Sequence, residues 1–200
     1  MANGKHKETA PSSIRLVATL AIAGLISGVA IIGIYESTLP TITANKAREL
    51  REAVFKVLPG VSSMQALVSR DGEFIAVAEP TKDEPVVYGG YDDNGSFVGY
   101  AMPGAGPGFQ DTIALLYGYK PGEKLVVGME ILESRETPGL GDKIFKDMDF
   151  VSEFHALSME PEIVSVKKGT KTSPNQVDSI TGATISSKAV VRIINETHAK

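Results

Sequence analysis

Three patterns of apolar and polar positions divide the chain. Residues 16–34 form an uninterrupted apolar run without a charged side chain. A membrane-spanning helix needs roughly 20 such residues at a rise of about 1.5 Å each, so the run has the required length. Apolar residues then recur at helical spacing between Ala47 and Leu58, opposite a charged face. From Met64 to Glu133, short apolar runs alternate with turn residues, which predicts β-strands.

Three turn signals lie inside the strand region, at 70–72, 92–95 and 120–123. Each separates two apolar runs, and consecutive hairpins imply a mainly antiparallel sheet. A final helix is predicted over 185–197, with Ile185, Ala189, Ile193 and Ile194 facing inward. The predicted fold class is therefore α+β: a mainly antiparallel sheet flanked by helices and preceded by one N-terminal transmembrane helix.

The predicted domain order has four parts: a cytoplasmic tail (1–15), a transmembrane helix (16–35), an amphipathic connecting helix (36–62) and an extracytoplasmic domain (63–200). Pro40 is expected to break the first helix, and Thr41 or Thr43 to cap the next one.

The charges around the apolar run predict its orientation. Lys5, Lys7 and Arg15 precede the run with only Glu8 opposing them, and the next basic residue after it is Lys46. The positive-inside rule then places the N-terminus in the cytoplasm and the main domain across the membrane. A cleaved signal peptide is the competing interpretation, but its apolar core is usually roughly 7–15 residues long and ends at a small-residue cleavage site.

The composition narrows the possible chemistry. The chain contains no cysteine, which excludes iron–sulfur clusters, thiolate zinc sites and thiol nucleophiles. His6, His155 and His198 are scattered, so no metal site is expected. Aromatic residues make up 6% of the chain, tryptophan is absent and no basic stripe occurs, so nucleic acid is not an expected partner. A redox role would have to use an organic cofactor.

Two glycine-containing motifs stand out, and a third glycine group does not. Gly104, Gly106 and Gly108 precede a strand-like run rather than a helix, which indicates a loop between strands and not a dinucleotide-binding turn. ETPGLG at 136–141 is typical of a rigid loop, either a plain turn or a ligand contact. DSITGAT at 178–184 leads into the final helix, where Thr184 is either a helix N-cap or part of an anion site.

Together, ETPGLG and DSITGAT resemble the FMN-binding domain family, and within it the G subunits of Rnf-type electron-transport complexes. DSITGAT matches every defined position of the family pattern Asp-x-x-Ser/Thr-Gly-Ala-Thr. The resemblance implies FMN joined covalently to Thr184 by a phosphoester bond, which a separate flavin transferase forms from FAD. It further implies cofactor contacts from two groups of residues: Thr181, Gly182 and Ala183 at the phosphate and ribityl chain, and Glu136, Thr137, Gly139 and Leu140 at the ring. Lys188, one turn after Thr184, is a candidate partner for the phosphate.

The function implied by this resemblance is an electron-carrying subunit of an ion-translocating complex in the bacterial inner membrane. Electrons would pass between ferredoxin and NAD through several subunits, and this chain would relay them through FMN without a catalytic residue of its own. Three alternatives stay open: a C-type subunit of a sodium-translocating NADH:quinone reductase, a membrane-tethered scaffold without redox function, and a free-standing flavin reductase.

Overall fold

The structure is a computed structural model that describes residues 12–70, 73–78 and 84–199. Most of the predicted tail, including His6, and the turn residues 71–72 of the first predicted hairpin lie outside the described residues. The described chain divides into two compact units, with the boundary between Ala47 and Arg48. This boundary falls inside the predicted connecting segment 36–62.

The first unit is helical. Helix α1 begins at Ser13 and ends at Val57, so its residues from Arg48 onward belong to the second unit. The helix is long and apolar enough to cross a membrane by length and composition. The predicted break at Pro40 is wrong, because Pro40 lies inside α1. An interior proline removes one backbone hydrogen bond and crowds the carbonyl four residues earlier, which can kink a helix without ending it. The hydroxyls of Ser37, Thr38 and Thr43 also bond to carbonyls of the preceding turn, as is common where a helix contains proline.

The second unit is built on a large sheet. In the described residues, its seven strands are β1 (Ser63–Arg70), β2 (Glu73–Ala76), β3 (Val86–Tyr91), β4 (Phe97–Pro107), β5 (Thr112–Lys120), β6 (Leu125–Ser134) and β7 (Leu157–Ser158). Their spatial order is β2-β1-β3-β4-β5-β6-β7, and every neighbouring pair is antiparallel. The predicted mainly antiparallel sheet is confirmed.

Shorter elements complete the unit. Helices α2 (Lys143–Lys146) and α3 (Met148–Ser152) and a 3₁₀ helix (Glu153–His155) follow β6. Strands β8 (Val164–Lys167) and β9 (Gln176–Ser179) then form a separate parallel pair, and helix α4 (Thr184–His198) ends the described chain. The sequence pattern indicated β8 but not its parallel partner, because a four-residue strand with polar neighbours carries little periodicity.

Two apolar clusters cover the two faces of the sheet. Successive strand residues point to opposite faces. Leu115 and Tyr117 therefore pack in the cluster that includes α4, whereas Leu116 packs with Val54 and Val57 from the end of α1. Each face of the sheet is covered by one of the two helices that flank it in sequence.

Gly104 and Gly106 lie inside β4 rather than in the predicted loop. A Cβ atom at either position would approach Ile193 of α4 to 2.9 Å, closer than real Cβ contacts. The two glycines therefore let α4 rest directly on the strand. Gly108 follows the strand, and its Cβ would meet a carboxylate oxygen of Glu136 at 2.5 Å.

Candidate functional site

The DSITGAT motif forms the connection between β9 and α4. β9 ends at Ser179, and the N–H of Ala183 then closes a turn by donating to the carbonyl of Ile180 at 3.0 Å. Gly182 has a φ of +84°, in the left-handed region that residues with a side chain rarely adopt. The turn therefore requires glycine at this position, and it delivers Thr184 as the first residue of α4.

Thr184 is not the N-cap of α4. The cap residue is Ala183, which has no capping side chain, and Ser187 stabilises the turn instead. The Ser187 hydroxyl accepts from the N–H of Ile180 at 3.1 Å and donates to the carbonyl of Ala183 at 2.9 Å. The exposed Thr184 has only one long hydrogen bond, from its hydroxyl to the carbonyl of Ile180 at 3.4 Å. The Thr184 hydroxyl is therefore available for other chemistry.

The start of α4 also presents unpaired backbone donors. The first intrahelical hydrogen bond joins the N–H of Ser187 to the carbonyl of Ala183 at 2.9 Å. The N–H groups of the three preceding helical residues have no partner inside the helix, and the positive end of its dipole lies at the same place. An anion beside Thr184 would be stabilised by both.

A cavity of about 280 Å³ adjoins Thr184. Three of its lining residues were predicted to contact the cofactor besides Thr184 itself, namely Thr181, Gly182 and Lys188. Its other lining residues come from β8, β9 and the turn after β8: Ser165, Val166, Lys167, Lys168 and Ser179. Ala183 is buried in the apolar core instead, so only its backbone is placed to frame a ligand.

Lys167 and Lys168 were not expected at this site. They lie outside the DSITGAT motif and belong to no recognisable motif of their own. They reach the cavity because β8 pairs with β9. No local signal in the sequence could have identified them.

The ETPGLG loop is joined through Glu136 to the start of α4, directly after DSITGAT. The side chain of Glu136 is 5% exposed, and one carboxylate oxygen accepts from the N–H groups of Phe109 and Gln110 at 2.9 Å each. The other oxygen accepts from the hydroxyl of Ser186, in the first turn of α4, at 2.5 Å. The ETPGLG loop and the first turn of α4 therefore meet at one carboxylate, although Glu136 and Ser186 lie 50 residues apart.

The environment of Glu136 favours its charged form. Burial by itself raises the pKa of this carboxyl, but hydrogen bonds from Ser186 and from the backbone N–H groups of 109–111 outweigh it. The pKa of Glu136 consequently lies below its usual value. Glu136 therefore acts inside the protein as an ionised hydrogen-bond acceptor that links the three segments. Its predicted contact with a flavin ring stays a prediction.

The remaining ETPGLG residues form an exposed turn. Gly139 has a φ of +78°, and the N–H of Leu140 donates to the carbonyl of Thr137 at 3.1 Å. The Thr137 hydroxyl donates to the side-chain oxygen of Gln110 at 2.7 Å. Thr137, Gly139 and Leu140 do not line the Thr184 cavity, and they belong to a second part of the site held by Glu136.

Large apolar side chains are exposed on all three segments that Glu136 joins. Phe109, Leu140 and Ile185 are 63%, 51% and 57% exposed. The inward orientation predicted for Ile185 is wrong, whereas that of Ala189, Ile193 and Ile194 is confirmed. Ile185 points outward because the first turn of α4 buries Ser186 and Ser187, which bond to Glu136 and to the motif turn.

A phosphate-bearing ligand with an apolar ring matches these features: an available hydroxyl at a helix start, a lysine-lined cavity and exposed apolar side chains. The family model of the FMN-binding domain matches residues 108–198, which contain both motifs. The matched residues thus form an FMN-binding domain.

Similarity over longer stretches specifies the family further. The chain is 35% identical over 148 residues to the G subunit of the Na⁺-translocating ferredoxin:NAD⁺ oxidoreductase complex of Acetobacterium woodii, covering 70% of this chain and 68% of that protein. It is 29% identical over 180 residues to the G subunit of the ion-translocating oxidoreductase complex of Methanosarcina acetivorans, covering 88% of each. The chain belongs to this family of G subunits with an FMN-binding domain, which confirms the family expected from the motifs.

Solved structures confirm the fold class. The crystal structure of Shewanella oneidensis NqrC aligns with a TM-score of 0.60 at 20% identity, covering 76% of this chain and 91% of that one. The C subunit of the Na⁺-translocating NADH-quinone reductase of Parabacteroides distasonis aligns equally well, at the same TM-score and identity. At this identity the likeness concerns the fold alone.

Proposed function

We propose that this protein is an electron-carrying subunit of a membrane-bound, ion-translocating oxidoreductase complex, and that it carries FMN on Thr184 through a phosphodiester bond. The observation that carries the proposal is the Thr184 hydroxyl, which is exposed at the start of α4 while Ser187 performs the capping. Membership of the G-subunit family supports the complex, and the curated relatives are named as subunits of such complexes. Transfer between ferredoxin and NAD⁺, as in the name of the Acetobacterium relative, is the proposed reaction of the assembly.

The attachment reaction uses the Thr184 oxygen as nucleophile. That oxygen would form a bond to the flavin-side phosphorus of FAD, the bond from this phosphorus to the bridging oxygen of the diphosphate would break, and AMP would leave with the bridging oxygen. The hydroxyl proton passes to a base of the flavin transferase or to water. Gly182 has no side chain to obstruct the approach, and the unpaired N–H groups of α4 stabilise the negative charge of the product.

The bound flavin would supply one- and two-electron redox chemistry, and the protein's own residues bind and orient it. Thr181 and Gly182 frame the phosphate end, with Lys188 contributing positive charge. Leu140, Thr137 and the newly identified Phe109 offer apolar and hydrogen-bonding surface for the ring. Glu136 holds the two parts of the site together through Ser186.

The proposed location is the bacterial inner membrane, with α1 as the anchor. The N-terminus would lie in the cytoplasm and the FMN-binding domain on the opposite side. The apolar composition of α1 and the basic residues before it support this arrangement. A covalent bond to Thr184 would prevent loss of the flavin by dilution outside the cell membrane.

Intact-mass measurement of the full chain tests the attachment. Protein produced together with a flavin transferase should gain the mass of FMN less one water, and its band should fluoresce in a denaturing gel. Thr184→Val should abolish both signals, whereas the neighbouring Thr181→Val should retain them. An unmodified wild-type mass beside an active transferase would instead favour the scaffold alternative.

Mild detergent extraction tests membership of a complex. The flavin-labelled chain should migrate with other subunits in native electrophoresis. A solitary species that retains full reductase turnover would favour the free-standing flavin reductase and contradict the proposed complex.

A further inference from the structure

Three lysines converge on the cavity beside Thr184 from two different elements. Lys188 lies in the second turn of α4, Lys167 is the last residue of β8, and Lys168 follows it in the next turn. β8 and β9 are parallel, with Lys167 paired to Ser179, so both strands end at the same edge. Because β9 continues directly into the DSITGAT turn, the end of β8 lies beside Thr184.

The first residue of the DSITGAT motif positions this lysine-bearing segment. The Asp178 carboxylate accepts from the N–H of Gly169 at 2.9 Å, and the N–H of Asp178 donates to Glu153 at 2.9 Å. Gly169 has a φ of +80°, and the N–H of Thr170 closes the turn on the carbonyl of Lys167 at 3.0 Å. Asp178 therefore fixes the turn immediately after Lys167 and Lys168.

The lysines at this cavity carry uncompensated charge. Within the described part of the chain, none of Lys167, Lys168 and Lys188 forms an ion pair, and the cavity lining contains no Asp or Glu. The nearby Lys171, by contrast, pairs with Glu153 at 3.3 Å. In a chain with a net charge of −4, three unpaired lysines around one cavity indicate an anionic ligand.

We propose that Lys167, Lys168 and Lys188 form a phosphate-binding cluster that holds the flavin phosphodiester on Thr184 against the start of α4. This proposal rests on the proposed attachment to Thr184 and assigns the positioning of the phosphate to residues outside both motifs. Attachment of the negative group relieves repulsion among the three ammonium groups and adds charge-assisted hydrogen bonds. Flavin attachment should therefore stabilise the fold, and it should do so less at high ionic strength.

The test compares the melting temperature of the full chain with and without attached flavin. Wild-type protein should melt higher when flavinylated. Lys167→Gln/Lys168→Gln should lose about 2–4 °C of this gain, the shift expected when a chain of this size loses one favourable interaction. The single variants Lys167→Gln, Lys168→Gln and Lys188→Gln are measured beside the double variant. They supply flavinylated protein for the comparison if the double variant is modified poorly.

Lys120→Gln/Lys124→Gln is the control for charge, because it removes two positive charges from the two sides of the turn between β5 and β6. These lysines pair with Glu123 and Glu160, and those ion pairs are lost from modified and unmodified protein alike. The rise in the control's melting temperature on flavinylation should equal that of the wild type. Using the difference between modified and unmodified protein cancels any general effect of a substitution on folding.

Three results would overturn the cluster. The first is a rise in melting temperature on flavinylation that is as large in the double variant and in Lys188→Gln as in the wild type. The second is a gain that does not respond to salt. The third is slower flavinylation with an unchanged gain, which would assign the lysines to recognition by the transferase. A wild-type chain that acquires no flavin would instead remove the proposed function itself.

Discussion

Ser187 and Thr184, two of the hydroxyl residues at the start of α4, have separate tasks. Ser187 is fully buried and holds the turn through hydrogen bonds with Ile180 and Ala183, whereas Thr184 is exposed and makes one long contact. A residue that is dispensable for folding can be modified without unfolding the site. This division of roles is the physical reason that Thr184 can serve as a point of attachment.

Ser187→Ala should therefore destabilise the protein by about 1 kcal/mol, the usual cost of losing a helix-terminal hydrogen bond, because the N–H of Ile180 would remain buried without its partner. Thr184→Val should change the free energy of unfolding by less than about 0.5 kcal/mol. Urea denaturation of the unflavinylated full chain in detergent measures both. A larger loss from Thr184→Val than from Ser187→Ala would contradict the assignment of roles.

Glu136 contributes stability that depends on its charge. Its pKa is lower in the folded state, so this contribution is present above the pKa of an unfolded glutamate, about 4.3, and is lost as the pH falls through the folded-state pKa. The charged carboxylate accepts three hydrogen bonds, from Phe109, Gln110 and Ser186. A neutral side chain at this position would accept them more weakly.

Glu136→Gln should lower the free energy of unfolding by about 1 kcal/mol at pH 7. The difference from wild type should narrow as the pH falls below the pKa of an unfolded glutamate, about 4.3, and then through the lower pKa of folded Glu136, because the wild-type carboxyl becomes neutral there. Denaturation curves at neutral and at acidic pH measure the difference. Glu196→Gln, an exposed substitution on α4, should show no comparable gap at either pH. A difference in unfolding free energy that stays constant with pH would contradict the stabilising role of ionised Glu136.

At the scale of elements, glycines determine how closely helices approach the sheet. A Cβ atom at Gly128 of β6 would lie 2.8 Å from the Cα of Val57, at the end of α1. On the other face, Gly104 and Gly106 admit α4 in the same way. Because backbone and buried side chains cannot move far in a packed core, these positions accept no side chain without displacing a helix.

Gly128→Ala should destabilise the protein by about 1–3 kcal/mol through overpacking against Val57. Gly122→Ala is the control, because a Cβ atom at this position between β5 and β6 would meet no atom within 4 Å. Thermal unfolding of the two variants distinguishes them. Equal melting temperatures would show that α1 shifts without cost.

At the scale of the whole molecule, the distribution of charge predicts which side of the membrane each unit occupies. The natural absence of cysteine allows a direct measurement, because a single introduced cysteine is the only thiol in the chain. Ser12 and Asn94 are exposed positions, one before the apolar run and one in the turn between β3 and β4.

In right-side-out spheroplasts, a membrane-impermeant maleimide should label Asn94→Cys directly. It should label Ser12→Cys only after the membrane is disrupted, because the positive-inside rule predicts a cytoplasmic N-terminus from the basic residues before the apolar run. The cysteine-free wild type controls for background labelling. The opposite pattern would place the FMN-binding domain in the cytoplasm.

The sequence by itself determined the features that depend on local patterns. The apolar run specifies α1 because its length matches a membrane, although Pro40 does not end the helix as expected. Alternating apolar residues and turn signals specify the antiparallel strands, since a strand and its hairpin partner are close in sequence. The two motifs indicate the family because they are short and continuous.

Only the tertiary structure decided how the site is assembled. The bond between Glu136 and Ser186 and the pairing of Lys167 with Ser179 join residues that are distant along the chain. The outward position of Ile185 follows from the burial of Ser186 against Glu136. The role of Ser187, rather than Thr184, in stabilising the helix start follows from the way the turn brings Ile180 and Ala183 to its hydroxyl. Local periodicity indicates which face of an element is apolar. It does not indicate which polar group of another segment will bond to a buried carboxylate, or which strand a short strand will pair with.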